Sequence, residues 1–241
     1  VEGVDVIVHT AALHAPHVGL VSDQEFEDIN IKATEKLALL AVKKGVKHFV
    51  FTSTTALYGF SSTLDGVAGW VNETVTPRPK TIYHKSKIEA EQILENISNL
   101  FNLPVTVLQM SRCFPEPANL MALYRLTRGI DARDVANAHL CAIEKRFSGF
   151  KRYIISGKTP FNKTCCEQLY LNGDDVVKEY APKLAKDFAD RAWYLPKSLD
   201  RVYDSSLAQL ELGWQPKYGY ESVLDMLDND FAEVLPVTSI S

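Results

Sequence analysis

Val4-Asp5-Val6-Ile7-Val8-His9-Thr10-Ala11-Ala12 sets the reading of this 241-residue chain. The β-branched residues Val4, Val6, Ile7 and Val8 predict a strand buried on both faces, of the kind found inside a parallel sheet. The small residues after it let a ligand approach the backbone at the strand's carboxyl end, where open α/β sheets bind ligands. A plain strand-to-loop turn would use the same residues. A central strand needs neighbours on both edges. The chain opens almost directly into this one, so earlier strands are expected before Val1.

Outward from that strand, residues 24–44 are helical, with Phe26, Ile29, Ala33, Leu37, Leu40 and Ala41 on one stripe and Gly45 as the stop. Asn30, a mediocre helix former, is either a solvated surface residue or bonded to something specific. A second strand, 47–51, ends in Thr52-Ser53-Thr54-Thr55. Those hydroxyls are placed to bond a substrate oxygen, or else they cap the turn. Residues 60–80, with Gly66, Gly69, Pro77 and Pro79, read as loop. A third strand, 105–108, leads into Ser111-Arg112. Strands alternating with helices of this length predict a doubly wound parallel α/β sheet. A helix at 131–144, capped by Asp131 or Asp134, and a strand at 152–156 follow. Helices at 168–180, 182–188, 205–212 and 220–231 suggest two parts: a core at 1–157 and a small, mainly helical lobe at 158–241. The last helices pack back on the core, and a ligand cleft lies between the two.

Tyr83-His84-Lys85-Ser86-Lys87 opens the helix between the second and third strands. Tyr83 and Lys87 stand one turn apart on one face. A free phenol holds its proton until about pH 10. An ammonium one turn away favours phenolate and brings it toward the working range. Tyr-x-x-x-Lys thus makes a compact acid/base unit for a carbinol oxygen, although a surface tyrosine on a lysine stem has the same spacing.

The net charge of −4 excludes a broad basic footprint for nucleic acid. No apolar run approaches the ~18 residues of a membrane span, and the first residues show no signal-peptide pattern. The four cysteines (Cys113, Cys141, Cys165, Cys166) include no Cys-x-x-Cys, and the six histidines show no ligand spacing, so no metal site is expected. A reduced, cytoplasmic setting follows from the sparse cysteines.

Taken in order, Asp5–Ala12, the run 30–37, Val46–Ser53, Tyr83-x-x-x-Lys87 with Glu91, Asp131-Ala132-Arg133-Asp134-Val135-Ala136 with His139, and Leu212-Gly213-Trp214-Gln215-Pro216 resemble an extended short-chain dehydrogenase/reductase of the NAD-dependent epimerase/dehydratase family. The resemblance implies a Rossmann-like fold and a catalytic set of Thr54, Tyr83 and Lys87 beside a nicotinamide. It implies that NAD or NADP is bound by Ala11, Ala12, Leu13, Asn30, Ser53, Tyr83, Lys87 and Ser111. Thr54, Thr55 and Arg112 would meet the substrate, and a homodimer is implied.

Three departures matter. None of the twelve glycines falls in a G-x-x-G-x-x-G array. The family's first strand, its phosphate loop and the NAD/NADP selector would therefore occupy roughly 60 residues before Val1. The sugar-nucleotide dehydratases carry Asp-Glu where this chain has Thr55-Ala56, which disfavours dehydration. The stretch from Pro115 to Asp131 is short, and Arg112 replaces a common asparagine; an arginine there suits a substrate phosphate or carboxylate, or a surface ion pair. The expected activity is hydride movement between nicotinamide and a carbinol or carbonyl carbon, with a nucleotide sugar as the leading substrate. The competing expectation is an inactive NAD(P)-binding or sensing protein on the same fold.

Overall fold

The structure, a computed structural model that describes residues 1–235, begins with strand β1 (Val6–His9). Helix α1 (Asp23–Phe26), a π-helical segment (Glu27–Lys32) and helix α2 (Ala33–Lys43) form one continuous rod. Strand β2 (His48–Thr54), the short strands β3 (Thr63–Leu64) and β4 (Val67–Val71), and helix α3 (Ile82–Phe101) follow. Next come β5 (Val105–Met110), α4 (Ala118–Thr127), α5 (Ala132–Lys145) and β6 (Phe150–Ile155). The rest is α6 (Cys166–Leu171), α7 (Gly173–Tyr180), α8 (Pro182–Asp190), β7 (Arg201–Tyr203), α9 (Ser206–Leu212) and α10 (Tyr220–Asp228). Residues 236–241 of the expected lobe lie outside the described residues.

The main sheet is parallel, in the order β1-β2-β5-β6. Side chains alternate across it with period two. Phe49, Phe51, Val105 and Val107 pack against Ala38 and Ala41 of α2 and Ala90 and Leu94 of α3. On the other face, Val50, Leu108, Tyr153 and Ile155 meet Ala138 and Ala142 of α5, Ala208 and Leu212 of α9, and Trp214. The Trp214 indole N–H donates to the Asp134 carbonyl at 3.0 Å, tying the C-terminal segment back onto the core. Asp131 is the cap of α5, its carboxylate accepting from Arg133 N at 3.0 Å. Asp134 instead accepts from the Lys217 and Tyr218 amides.

Four expectations need correction. β1 is an edge strand among the described residues, with Val8 41% exposed, and is not buried on both faces. The π segment adds a residue to the helical turn and rotates everything after it. The buried face therefore runs Phe26, Asn30, Ile31, Thr34, Ala38, Ala41, while Ile29, Ala33 and Leu40 of the expected stripe are exposed. The supposed loop 60–80 contains the β3–β4 hairpin, and β4 pairs in parallel with β7, a strand too short to be seen in the sequence. After Pro115, where no element was expected, α4 joins β4, β7, α6–α8 and α10 around one apolar cluster that includes Leu123, Leu169, Leu184, Phe188, Val202 and Val223. Among the described residues no helix is long and apolar enough to cross a membrane.

Candidate active site

β2 lies between β1 and β5, so its carboxyl end, Thr52 to Thr54, opens at the middle of the sheet. Thr81 caps α3, its hydroxyl accepting from His84 N, and the helix starts one residue before Tyr83. Tyr83 and Lys87 therefore sit on the first turns and share the face toward β2, both buried. A cavity of about 410 Å³ opens there. Thr52–Ala56, Tyr83, Lys87, Ser111, Arg112, Thr10 and Ala12 contribute to its wall.

The Lys87 ammonium donates to the Thr52 carbonyl at 2.7 Å and lies 3.9 Å from the Phe51 ring centre. Burial away from a direct carboxylate partner lowers its pKa to about 7, with the charge on Glu91 pulling weakly the other way. Tyr83 moves opposite to the expectation: burial raises its pKa, and the bond from Thr54 only partly offsets that. Burial, not the charge on Lys87, governs the Tyr83 hydroxyl here. Tyr83 is a phenol in this state.

The remaining expected residues separate into groups. Thr54 faces Tyr83, and its hydroxyl also accepts from Ala56 N at 3.1 Å. Thr55 is buried on the wall, with its carbonyl taken by the Tyr203 hydroxyl at 3.2 Å. Ser53 reaches the cavity, but its hydroxyl donates to Glu91, which also accepts from Gln109 and from Arg152 Nε at 2.6 Å. The Thr52 hydroxyl bonds His139 Nε2 at 2.7 Å, so it supports the strand end. The Ser111 hydroxyl is buried on the wall and has no partner among the described residues. Ala11, Leu13 and Asn30 are not on the wall. Asn30 braces the loop from behind: its side chain bonds Leu13 N at 2.8 Å and Leu13 O at 2.9 Å, and donates to Ser86 at 2.9 Å.

Arg112 lines the cavity, half exposed and paired with Glu116. Two further arginines, absent from the sequence reading, stand on the same wall. Arg128 and Arg201 share Asp200, at 3.3 Å and 2.5 Å, and Arg201 also donates to Ser62 at 2.9 Å. Tyr124 stacks 4.4 Å under Arg128, and Tyr203 completes that side. Three guanidiniums against Asp200 and Glu116 leave this wall net positive. Only the β4–β7 pairing brings Arg201 and Tyr203 there, and no local pattern announces a pairing so distant in sequence.

Residues 1–118 match the sequence model of the NAD dependent epimerase/dehydratase family. Over those residues the chain is similar to that family. It is 27% identical over 114 residues to a mouse dTDP-D-glucose 4,6-dehydratase, covering 47% of this chain and 31% of that protein. A 3 beta-hydroxysteroid dehydrogenase/Delta 5-->4-isomerase of Vaccinia virus (strain Ankara) is 31% identical over 98 residues, covering 41% and 28%. The chain thus spans about a third of the length of these curated relatives. Among solved structures, a UDP-glucuronic acid 4-epimerase from Bacillus cereus, in complex with UDP-glucuronic acid and NAD, superposes with a TM-score of 0.64 at 18% identity, covering 94% of this chain and 74% of that one. RMD from Pseudomonas aeruginosa, complexed with NADPH, gives 0.65 at 17%, covering 94% and 81%. These likenesses establish the Rossmann-like fold. Setting dehydration aside because Thr55 and Ala56 lack carboxylates finds no support in the relatives, which include that mouse dehydratase.

Proposed function

We propose that the chain works in an NAD(P)-dependent enzyme of epimerase or reductase type, moving hydride between nicotinamide and a carbinol carbon of a nucleotide sugar. The observation that carries this reading is the buried Tyr83 phenol, with Thr54 beside it and Lys87 one turn on, in a cavity with an arginine-rich far wall.

The wall suits a nicotinamide ribose. Ser111 offers a hydroxyl with no protein partner, and Lys87 commits one bond of its ammonium, to Thr52. Lys87 and Tyr83 would hold the ribose hydroxyls of NAD or NADP, with Ala12 and Ser111 against the neighbouring portion. When bound, the nicotinamide supplies or accepts the hydride. Thr54 and Tyr83 hold the substrate oxygen. In reduction the Tyr83 phenol gives its proton to that oxygen; in oxidation Tyr83 must be deprotonated first and takes the carbinol proton as hydride leaves the same carbon. Arg112, Arg128 and Arg201 suit the diphosphate of a nucleotide sugar, because guanidinium matches phosphate bidentately. The substrate lobe is taken as 158–241, with α4 and β4 packed onto it. Exposed Ile29, Leu39 and Leu40, with Leu100 and Phe101, support a homodimer through the α1–α2 and α3 helices.

The test is turnover of reduced or oxidised nicotinamide with a panel of UDP- and dTDP-hexoses, by the protein with any residues that precede Val1. Tyr83→Phe is expected to lower turnover at least about 100-fold while cofactor binding persists. Full turnover by Tyr83→Phe would remove the reading. Cofactor binding with no turnover by the unmodified protein would favour a nicotinamide-binding, non-catalytic role.

A further inference from the structure

A second cavity, of about 400 Å³, lies on the far side of the segment from Ser111 to Pro115. From Arg112 onward the side chains of this extended run alternate between the two spaces. Arg112 and Phe114 face the candidate active site, whereas Cys113 and Pro115 face the second cavity. Opposite them, α4 contributes Met121 and Arg125, and α10 contributes Ser222 and Met226.

Arg125 is the unusual member. Its side chain is 3% exposed, and its one side-chain hydrogen bond runs from Nη2 to Asp131 Oδ2 at 3.1 Å. A guanidinium carries five N–H donors. Here Nε is sealed from solvent with no acceptor among the described residues. Nε is closed to the cavity as well, so the N–H groups left for an entering acceptor are those of Nη1, which makes no bond among the described residues.

The surrounding charge says which acceptor. Arg125 is already balanced: Asp131 pairs with it and with Arg133, and buried Asp134 lies near enough to add its own charge. The two guanidiniums thus meet two carboxylates. Asp225 and Glu233, both exposed, add negative charge at the rim. An anion entering here meets a neutral interior behind an acidic rim, which disfavours it. The rest of the wall is apolar or aromatic, with Met121, Met226, Pro115 and Phe231, and with Tyr218 stacked 3.7 Å under Arg133. Such a wall suits an apolar body.

We infer that this cavity is a second ligand site, built for a small neutral carbonyl compound whose oxygen accepts from Arg125 and whose apolar body packs on Met121 and Met226. Because the Ser111–Pro115 segment is a common wall, occupancy shifts Arg112 and Phe114 and couples to the first cavity, reciprocally. The site stands apart from the proposed redox chemistry and is tested without it.

The chain supplies its own reporters. Its three methionines are Met110 on the first cavity and Met121 and Met226 on the second. In protein labelled with ¹³C-methyl methionine, cyclohexanone is expected to move Met121 and Met226 saturably and Met110 by a smaller amount at the same midpoint. Methylcyclohexane, lacking the acceptor, should bind about tenfold more weakly or worse. Cyclohexanecarboxylate should bind no more tightly than the ketone. Ser222→Trp fills the cavity without breaking the Arg125–Asp131 pair; with Met110 unmoved as the mark of an intact fold, it should abolish the response. The site is overturned if Met121 and Met226 do not move, if only Met110 moves, if the hydrocarbon binds as well, or if the carboxylate binds better. Persistence of the shifts in Ser222→Trp also overturns it. A still Met110 under saturating ketone overturns the coupling.

Discussion

Replacing Lys87 by methionine removes an ammonium that the ligand-free fold carries at a cost. The side chain is buried and its pKa falls from the ordinary 10.5 to about 7, chiefly through desolvation. Between those two values the unfolded chain binds a proton that the folded chain does not, so stability rises with pH across that window. Below it both states are protonated and the whole penalty is present. The gap between 10.5 and about 7 corresponds to about 5 kcal/mol at that limit. Between pH 7 and pH 9, about 2 kcal/mol of the penalty is relieved. Urea unfolding of the ligand-free protein should therefore show the unmodified chain gaining about 2 kcal/mol on Lys87→Met over that interval, the variant cancelling the titration of every other group. Parallel stability curves for the two proteins would refute the reasoning, because they would mean that Lys87 keeps an ordinary pKa in the fold.

Gly59 adopts φ 54°, and a Cβ there would lie 2.1 Å from the Arg78 carbonyl oxygen. Gly59→Ala should cost about 3 kcal/mol in a urea titration, and an unchanged midpoint would show that the turn relaxes. Asn30→Ala removes three hydrogen bonds that brace the loop after β1. It should cost about 1–3 kcal/mol and speed hydrogen exchange at the Leu13 amide, whereas retained protection would assign the bracing elsewhere. Glu91→Ala leaves Arg152, Gln109 and Ser53 without their shared acceptor and should cost about 3 kcal/mol in thermal unfolding, with Glu91→Gln milder. Equal melting of both variants would deny the ion pair its part.

The parallel core was legible because its signals are local. β2 and α3 announce themselves by apolar runs, and Tyr83 and Lys87 meet because 3.6-residue periodicity alone puts them on one face. An aspartate cap for α5 was legible from its place before the helix, and the structure selects Asp131 over Asp134. What escaped depends on distant partners or on small changes of phase. One extra residue in the π segment exchanged Ile31 and Ala38 for Ile29 and Leu40 on the buried face. Arg201 and Arg128 reach the cavity through β7 and the turn after α4, neither visible in composition. The Tyr83 hydroxyl runs against the expected direction for a different reason, because burial raises its pKa and lowers that of Lys87. Spacing places a charge, but only burial decides whether the charge survives.

The parallel pairing of β4 with β7 joins residues near 70 to residues near 202. Two hydrogen bonds across the same interval, Arg201 to Ser62 and Tyr203 to the Thr55 carbonyl, close that side of the cavity. A nascent chain leaves the ribosome amino end first. Thr54, Tyr83 and Lys87, with Arg112 and Arg128, can thus assemble on the growing sheet before Arg201 exists, and the pocket gains Arg201 and Tyr203 only once β7 has been made. A ribosome-bound intermediate stopped between α8 and β7 would hold its acid/base residues beside an open slot. Such a species would have the reactive centre with Arg112 and Arg128 but lack Arg201 and Tyr203, which close that side.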